Sequence, residues 1–235
     1  CGAVIAYVST VNGVTHELGT SGFLYRSTKL MYDKATQSLW STFDGTPVIG
    51  PLVGQGVELE RLSVVTTTWG EWRDRHPDTM VLSLDTGHQR DYTEGAAYRE
   101  YFATDALMFG VPKLDERLRN KEEVLALDLA GPGQEPLAIS ADYLQRHPVY
   151  RDQSGAVQFT VLTDSTGANR VYETEEVRIE SWDQQYTAID SNGLEWQVTE
   201  RALLSTGGRS LKRLPSHRAF WFGWVAANPG TRLVR

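Results

Sequence analysis

Two stretches of the sequence match each other in one ungapped frame, and this match decides how the fold is interpreted. The first stretch reads Leu59-Glu60-Arg61-Leu62 and continues through Trp69, Trp72, Pro77 and Thr79. The second reads Leu211-Lys212-Arg213-Leu214 and continues through Trp221, Trp224, Pro229 and Thr231. Each residue lies 152 positions after its counterpart, as 221 − 69 and 231 − 79 both show. Chance rarely produces such a match, so we expect an internal duplication.

Each copy has the same predicted order of elements. Short segments of β-branched and aromatic residues come first, with Gly, Asn and Thr between them, as is typical of strands and turns. Helices are predicted at 67–75 and 217–227, the second with Ser216 as its N-cap, and short strands at 80–84 and 232–234. The predicted fold class is mainly β, or β-rich α+β. It consists of two repeated β modules, each closed by a tryptophan-containing helix, packed as one globular unit.

The predicted division of the chain follows from this repeat. Residues 1–92 form the first β module, and residues 151–235 form the second. The connecting segment, 93–150, is predicted to contain an aromatic helix at 95–104, a hairpin around Gly131-Pro132-Gly133 and a short helix at 141–147. Because no low-complexity linker separates the modules, we expect them to pack against each other.

The register of the repeat is open at its N-terminal end. Asp33 matches Asp190, since each begins a turn that leads to a tryptophan, Trp40 or Trp196. Further back, Gly2 pairs either with Gly155 or, through Tyr7 and Tyr172, with Gly167.

Charge and cysteine content exclude some classes of function. The chain has 235 residues, a formal charge of −7 and a pI near 5.3, so we expect no nucleic-acid partner. No apolar stretch is long enough to predict a transmembrane segment. Cys1 is the single cysteine, which excludes an internal disulfide and a zinc site of several thiolates. It could be a lipidated first residue, the start of an excised piece or an accident of numbering, and we favour an excised piece.

The duplication also sorts residues by their expected role. Features that occur in both copies, above all Trp69, Trp72, Trp221 and Trp224, are predicted to pack the shared module. Features of one copy are better candidates for function. The candidate site residues are Cys1, Ser21, Tyr32, Asp33, His88, Arg90 and His217.

Several of these candidates have a simpler structural interpretation. Ser21 lies in Gly19-Thr20-Ser21-Gly22, which lacks the full Gly-x-Ser-x-Gly elbow of a hydrolase, so a glycine-bracketed turn with a capping hydroxyl is favoured. Asp33 recurs as Asp190, which favours a turn-stabilising role. No histidine pair has the helical spacing of a metal site, so His88 or His217 would have to meet Cys1 through the fold.

A family resemblance covers nearly the whole chain. It is carried by the following residues: Gly19 to Tyr25, Leu30 to Asp33, Thr36, Ser38 to Trp40, Gly50 to Leu52, Gly54, Trp69, Trp72, His76 to Thr79 and Phe220 to Trp224. This pattern resembles a prokaryotic family known only as domain of unknown function number 3179. Family members open with Cys-Pro-x-Cys-Gly, and Cys1-Gly2 looks like the end of that motif. The resemblance implies an extracytoplasmic location and supplies no activity or catalytic residue.

Three hypotheses of function follow. In the first, the protein handles thiols or metals at the Cys1 end of the first module, and the intact protein, with a second cysteine, holds a transition metal with Cys1 as a ligand. In the second, it is a non-catalytic module that binds a ligand or partner in an aromatic cleft between the two repeats. The third is hydrolysis by Ser21 with a histidine base, which ranks last because the local geometry is wrong for it.

Overall fold

The first part of the chain is built from short strands. The computed structural model describes residues 1–129 and 135–235. The strands of the first part are β1 (Ala6–Val8), β2 (Thr10–Val11), β3 (Val14–Thr15), β4 (Leu18–Tyr25), β5 (Thr28–Asp33), β6 (Leu39–Ser41), β7 (Pro47–Ile49) and β8 (Glu60–Leu62). Strands β4 to β7 form an antiparallel meander, and β1 pairs with β8. Asn12 and Gly13 turn the β2–β3 hairpin with positive φ, which confirms the predicted turn.

After β8 the chain has little regular structure for about 60 residues. Helix α1 (Trp69–Arg75) begins after Thr68, whose hydroxyl accepts the N–H of Glu71, and α2 (Arg99–Phe102) is a single turn. The predicted strand at 80–84 and most of the predicted helix at 95–104 are wrong. Residues 80–84 are exposed and pair with no strand in the described part of the chain, so their backbone groups lack the sheet partners that the prediction assumed.

The connecting segment ends in a hairpin and a helix, as predicted. Strands β9 (Glu123–Leu127) and β10 (Leu137–Ser140) pair antiparallel, and α3 (Ala141–Arg146) follows with Ser140 as its N-cap. The predicted turn at Gly131-Pro132-Gly133 lies outside the described residues. Strands β11 (Val149–Ser154), β12 (Val157–Thr163) and β13 (Asn169–Glu173) then form a three-stranded antiparallel sheet.

The last part of the chain contains a second meander. It consists of β14 (Ile179–Trp182), β15 (Thr187–Asp190), β16 (Glu195–Val198), β17 (Ala202–Ser205) and β18 (Ser210–Lys212). The chain ends in β19 (His217–Phe220), α4 (Trp221–Ala227) and β20 (Arg232–Val234). Strands β19 and β20 flank the hairpin in a four-stranded sheet of order β19-β9-β10-β20.

The start of the second tryptophan helix differs from the prediction. Residues 217–220 are a strand, because they pair antiparallel with β9 from His217 opposite Ala126 to Phe220 opposite Glu123. Helix α4 therefore begins four residues later than predicted, and Phe220 rather than Ser216 stands at its N-cap.

The two halves share several local arrangements. Tyr7 pairs with Arg61 between β1 and β8, and Tyr172 pairs with Arg213 in an antiparallel bridge. Gly2 and Gly167, each five residues before one of these tyrosines, both have positive φ. In the helices, Trp72 Nε1 donates to Thr79 Oγ1 and Trp224 Nε1 donates to Thr231 Oγ1, each over 2.9 Å.

A buried arginine joins the halves. Arg170 on β13 is 1% exposed and donates to Asp164, to Glu200 and to Glu71 of helix α1, at 2.8, 2.8 and 3.0 Å. Arg75 of the same helix donates to the carbonyl of Gln185. Polar contacts with the second half therefore hold one side of α1.

The protein is β-rich, and its core is concentrated in the second half. Two clusters of buried apolar side chains, around Trp196 and around Phe159, are formed by residues from 125 onward, and the third, around Trp224, also includes Phe43 of the first half. Among the described residues, no helix is long and apolar enough to cross a bilayer.

Candidate functional site

An apolar pocket of about 320 Å³ lies where the first half, the connecting segment and the second half meet. It is lined by Cys1, Gly2, Leu24, Ser27, Lys29, Tyr98, Tyr101, Phe102, Met108, Phe109, Phe220 and Phe222. Six of these twelve residues are aromatic. The volume and the apolar lining are typical of a small-molecule site.

The aromatic rings of the pocket contact one another, edge to face around Phe102 and at a tilt between Phe220 and Phe222. Phe102 meets Phe220 with ring centroids 6.1 Å apart and Tyr101 with centroids 5.6 Å apart. Phe220 in turn lies 6.4 Å from Phe222, at the start of α4. Such pairs stabilise by roughly 0.5–1.5 kcal/mol beyond the burial of their area. The ring of Phe102 on α2 thus packs against Phe220 at the end of β19.

Lysines give the pocket its charge. Lys29 supplies the charged side chain of the lining. Lys121 lies behind the wall, with Nζ 3.5 Å from the centroid of the Tyr101 ring and a hydrogen bond to the carbonyl of Thr104. Burial and the nearby Asp105 raise the pKa of Tyr101, so its ring stays neutral near pH 7. The lining therefore combines apolar rings with one cationic side chain, that of Lys29.

Cys1 forms part of the pocket wall beside helix α4. Its carbonyl accepts the N–H of Phe220 over 2.8 Å, and its thiol is free and half-buried. A Cβ at Gly223 would stand 2.8 Å from Cys1 Cβ, so the helix approaches Cys1 this closely only because residue 223 has no side chain.

His217 lies behind the same wall and is sealed from solvent. Its ring contacts Phe43 and Trp224, at centroid distances of 5.9 and 5.8 Å. Burial, together with the charge of Arg61, lowers the pKa of His217 from 6.5 to about 4. The imidazole is therefore neutral, and its Nε2 has no hydrogen-bond partner among the described residues.

Ser21 has its hydroxyl bound to the backbone. Its Oγ donates to the carbonyl of Leu30 over 2.7 Å and accepts the N–H of Phe23. The predicted capping by the hydroxyl is confirmed, whereas the predicted turn is an irregular part of a strand. Residues 19–22 lie inside β4, where the pairing with β5 shifts register and Gly22 has a φ of +79°. These contacts direct the Ser21 hydroxyl to the backbone of its own sheet, so they do not support Ser21 as the nucleophile of a hydrolase.

Asp33 is fully buried and organises a turn. Its carboxylate accepts hydrogen bonds from the Ala35 N–H, the Thr36 hydroxyl and His16 Nδ1, the last over 2.8 Å. Asp190 likewise accepts the N–H two residues on, which confirms the predicted turn-stabilising role. Tyr32 covers Gly19 on the neighbouring strand, where a Cβ would stand 2.6 Å from its ring.

His88 and Arg90 are exposed in the irregular segment after α1. Cys1 and His217 thus both contact helix α4, through Gly223 and Trp224, whereas the other candidates lie elsewhere. Among the described residues, no three His, Cys, Asp or Glu side chains come close enough together to hold a metal ion.

Sequence reasoning missed the rings that build the pocket. Phe102 and Phe109 lie more than a hundred residues before Phe220 in the chain, and only the fold brings Phe102 to Phe220. One signal was present, because residues 95–104 form an unusually aromatic segment in the part of the chain that belongs to neither repeat. The network around Arg170 was also missed.

The tryptophan pairs lie in two different environments. Trp221 and Trp224 are 0% and 1% exposed, which confirms their predicted packing role. Trp69 and Trp72 are 53% and 43% exposed, so the same prediction is wrong for the first pair.

The fold and the pocket define a β-rich protein with an aromatic pocket where its first half, its connecting segment and its second half meet. The chain belongs to the family described as protein of unknown function DUF3179, whose family model matches residues 1–231. The predicted resemblance is therefore confirmed. No curated protein and no solved structure matches the chain.

Proposed function

We propose that this chain is a ligand-binding protein whose aromatic pocket takes a small apolar molecule carrying an acidic group. The observation that carries the proposal is the lining, in which six aromatic rings surround a space of about 320 Å³ and Lys29 supplies the charge. Rings bind the flat apolar body by stacking, and the lysine selects an anionic end. This proposal is the binding-module hypothesis, and the walls of its pocket are formed by phenylalanine and tyrosine side chains.

The test is a fluorescence titration with 8-anilinonaphthalene-1-sulfonate, which combines fused rings with a sulfonate. We expect one saturable site whose affinity falls at least tenfold in Phe102→Ala and several-fold in Lys29→Met. Phe23→Ala removes an equally exposed ring outside the lining, and Lys212→Met removes a distant lysine, so these two controls bind as the parent does. Equal affinity in all five proteins would refute the proposal.

A thiol- or metal-handling role is the second candidate, and Cys1 in the pocket wall favours it. A thiolate there could react with, or coordinate to, a molecule bound against the rings. A transition metal would need ligands in addition to Cys1. Elemental analysis of the parent and of Cys1→Ser tests the metal site: stoichiometric metal in the parent alone supports it, and none in either protein rejects it. A Cys1 thiol that also fails to react with alkylating reagents would reject the thiol-handling role.

We also propose that the two halves are copies of one β module, in the register that pairs Tyr7 with Tyr172. Three observations support this proposal: the matching tyrosine–arginine pairs, the matching Trp–Thr hydrogen bonds, and the two glycines with positive φ. Superposition of the two meanders and their helices in an experimental structure is the test. A failure to superpose would reject the duplication.

A further inference from the structure

The tip of the β4–β5 hairpin has a strained backbone. Arg26 and Ser27 connect the two strands and have φ values of +50° and +62°. Because Tyr25 pairs with Thr28, these two residues form a tight two-residue turn. Positive φ at both positions is typical of a type I′ turn, which favours Asn-Gly because a residue with a Cβ is disfavoured there. Contacts outside the turn must therefore hold Arg26 and Ser27 in this conformation.

Two hydrogen bonds connect the tip to other parts of the pocket wall. Arg26 Nη1 donates to the carbonyl of Ala227, the last residue of helix α4, over 3.1 Å. The Ser27 hydroxyl donates to the carbonyl of Phe109, in the connecting segment, over 3.4 Å. Phe109 lines the aromatic pocket, and so does Phe222 of helix α4. The tip is thus bound both to the second half and to the connecting segment.

Few contacts join the tip to the rest of its own sheet. Residues 24–29 form two strand pairs with each other, and the β4–β5 ladder is interrupted directly beyond them. Gly22 lies in this interruption with a φ of +79°, and nothing lies within 4 Å of the place of its Cβ. Pairing of β5 with β6 begins at Leu30, while the Thr42 hydroxyl donates to the carbonyl of Lys29 at the edge of the tip. The irregularity at Gly22 is therefore a point at which the tip can bend away from the sheet.

We propose that residues 24–29 are a strap that closes the aromatic pocket, and that Arg26 fixes the strap in its closed position. Leu24, Ser27 and Lys29 of the strap line the pocket, so displacement of the strap removes all three from the wall and opens the pocket to solvent. The strained turn favours this release once the hydrogen bond of Arg26 breaks. Arg26 acts through the strap and is a positioning residue. The inference rests on the proposed function, because it assigns control of ligand entry to the same pocket.

Closure by the strap has two consequences for a ligand. Association is slow, because the pocket admits a ligand only while the strap is open. Lys29 is carried by the strap, so the cation that selects an anionic group reaches its place in the lining only when the strap is closed.

The experiment is stopped-flow fluorescence with 8-anilinonaphthalene-1-sulfonate, which measures the rate constants of association and dissociation. Arg26→Met removes the hydrogen bond to Ala227 and keeps a long side chain. Arg178→Met is the matched control, since it removes the same charge from a residue that pairs with Glu180 and lies outside the pocket lining.

We expect both rate constants to rise at least threefold in Arg26→Met and to stay unchanged in Arg178→Met. Loss of a cation by itself slows the association of an anionic probe, so a faster association reports on the strap and not on charge. An association rate constant that is unchanged or lower in Arg26→Met, or an equal rise in the control, would overturn the inference. Saturable binding by the parent with either of these results rejects the strap alone, whereas no saturable binding by the parent rejects the proposed function together with it.

Discussion

Cys1 and Gly223 lie against each other so closely that a Cβ on residue 223 would stand 2.8 Å from Cys1 Cβ. This contact brings helix α4 up to the first half and forms one wall of the pocket. Gly223→Ala forces Cys1 or the helix to move, and we expect it to destabilise the protein by about 1–2 kcal/mol despite the higher helix propensity of alanine. Urea unfolding measures the change. Gly70→Ala is the matched control in helix α1, where nothing lies within 4 Å, and should be neutral or stabilising; a similar loss in both variants would contradict the contact.

The two Trp–Thr hydrogen bonds allow the effect of a Thr→Val substitution on stability to be compared in a buried and in an exposed environment. Thr231→Val removes the acceptor of the buried Trp224 N–H, which leaves a polar group without a partner at a cost of about 1–3 kcal/mol. Thr79→Val removes the equivalent acceptor from Trp72, where water replaces it, so the cost is below about 0.5 kcal/mol. Chemical denaturation of both variants checks the difference. Equal costs would mean that the two helices are equally buried in solution.

Arg170 is expected to be the buried charged residue whose removal lowers the free energy of unfolding most. Arg170→Met leaves Asp164 buried without its cation and releases Glu71 of helix α1, so we expect a loss of about 3–5 kcal/mol. Limited proteolysis should also cut near α1 sooner. Arg178→Met breaks an exposed pair with Glu180 and should change stability by less than about 0.5 kcal/mol. A small loss for Arg170→Met would show that the network does not hold the helix.

His217 makes stability depend on pH in a defined window. The pKa of His217 is about 4 in the folded protein, against an ordinary value of 6.5 in the unfolded chain. Between these two pH values the unfolded chain therefore binds a proton at His217 that the folded protein does not bind. The stabilising effect of the neutral ring is complete above pH 6.5 and is lost as pH falls towards 4, by about 3 kcal/mol in total. His217→Leu should remove this part of the decline. An unchanged slope between pH 6.5 and 4 in the variant would contradict the burial of a neutral imidazole.

Sequence patterns predicted the local elements well where the chain itself sets the geometry. Asn12 and Gly13 adopt the positive φ of a tight turn, Asp33 and Asp190 bind their own turns, and the β9–β10 hairpin forms as expected. Helix α4 was predicted four residues too long, because pairing with β9 rather than local propensity decides the conformation of residues 217–220.

Tertiary context explains what the sequence did not predict. The two tryptophan helices have the same spacing, yet one is buried on a hairpin and the other is exposed, and no periodicity distinguishes these outcomes. The pocket joins rings more than a hundred residues apart, and only the fold brings Phe102 to Phe220. Cys1 was identified as a candidate because it occurs in one copy of the predicted repeat only, and the aromatic wall around it became visible only in the structure.

The central claim, that the aromatic pocket beside Cys1 binds a small anionic molecule, is tested most directly through the single thiol of the chain. The rate of Cys1 alkylation by iodoacetamide is measured with and without saturating 8-anilinonaphthalene-1-sulfonate, because a ligand in the pocket shields the thiol in its wall. We predict at least a fivefold slowing in the parent, and none in Phe102→Ala at the same probe concentration. An alkylation rate that the probe leaves unchanged in the parent would contradict the account.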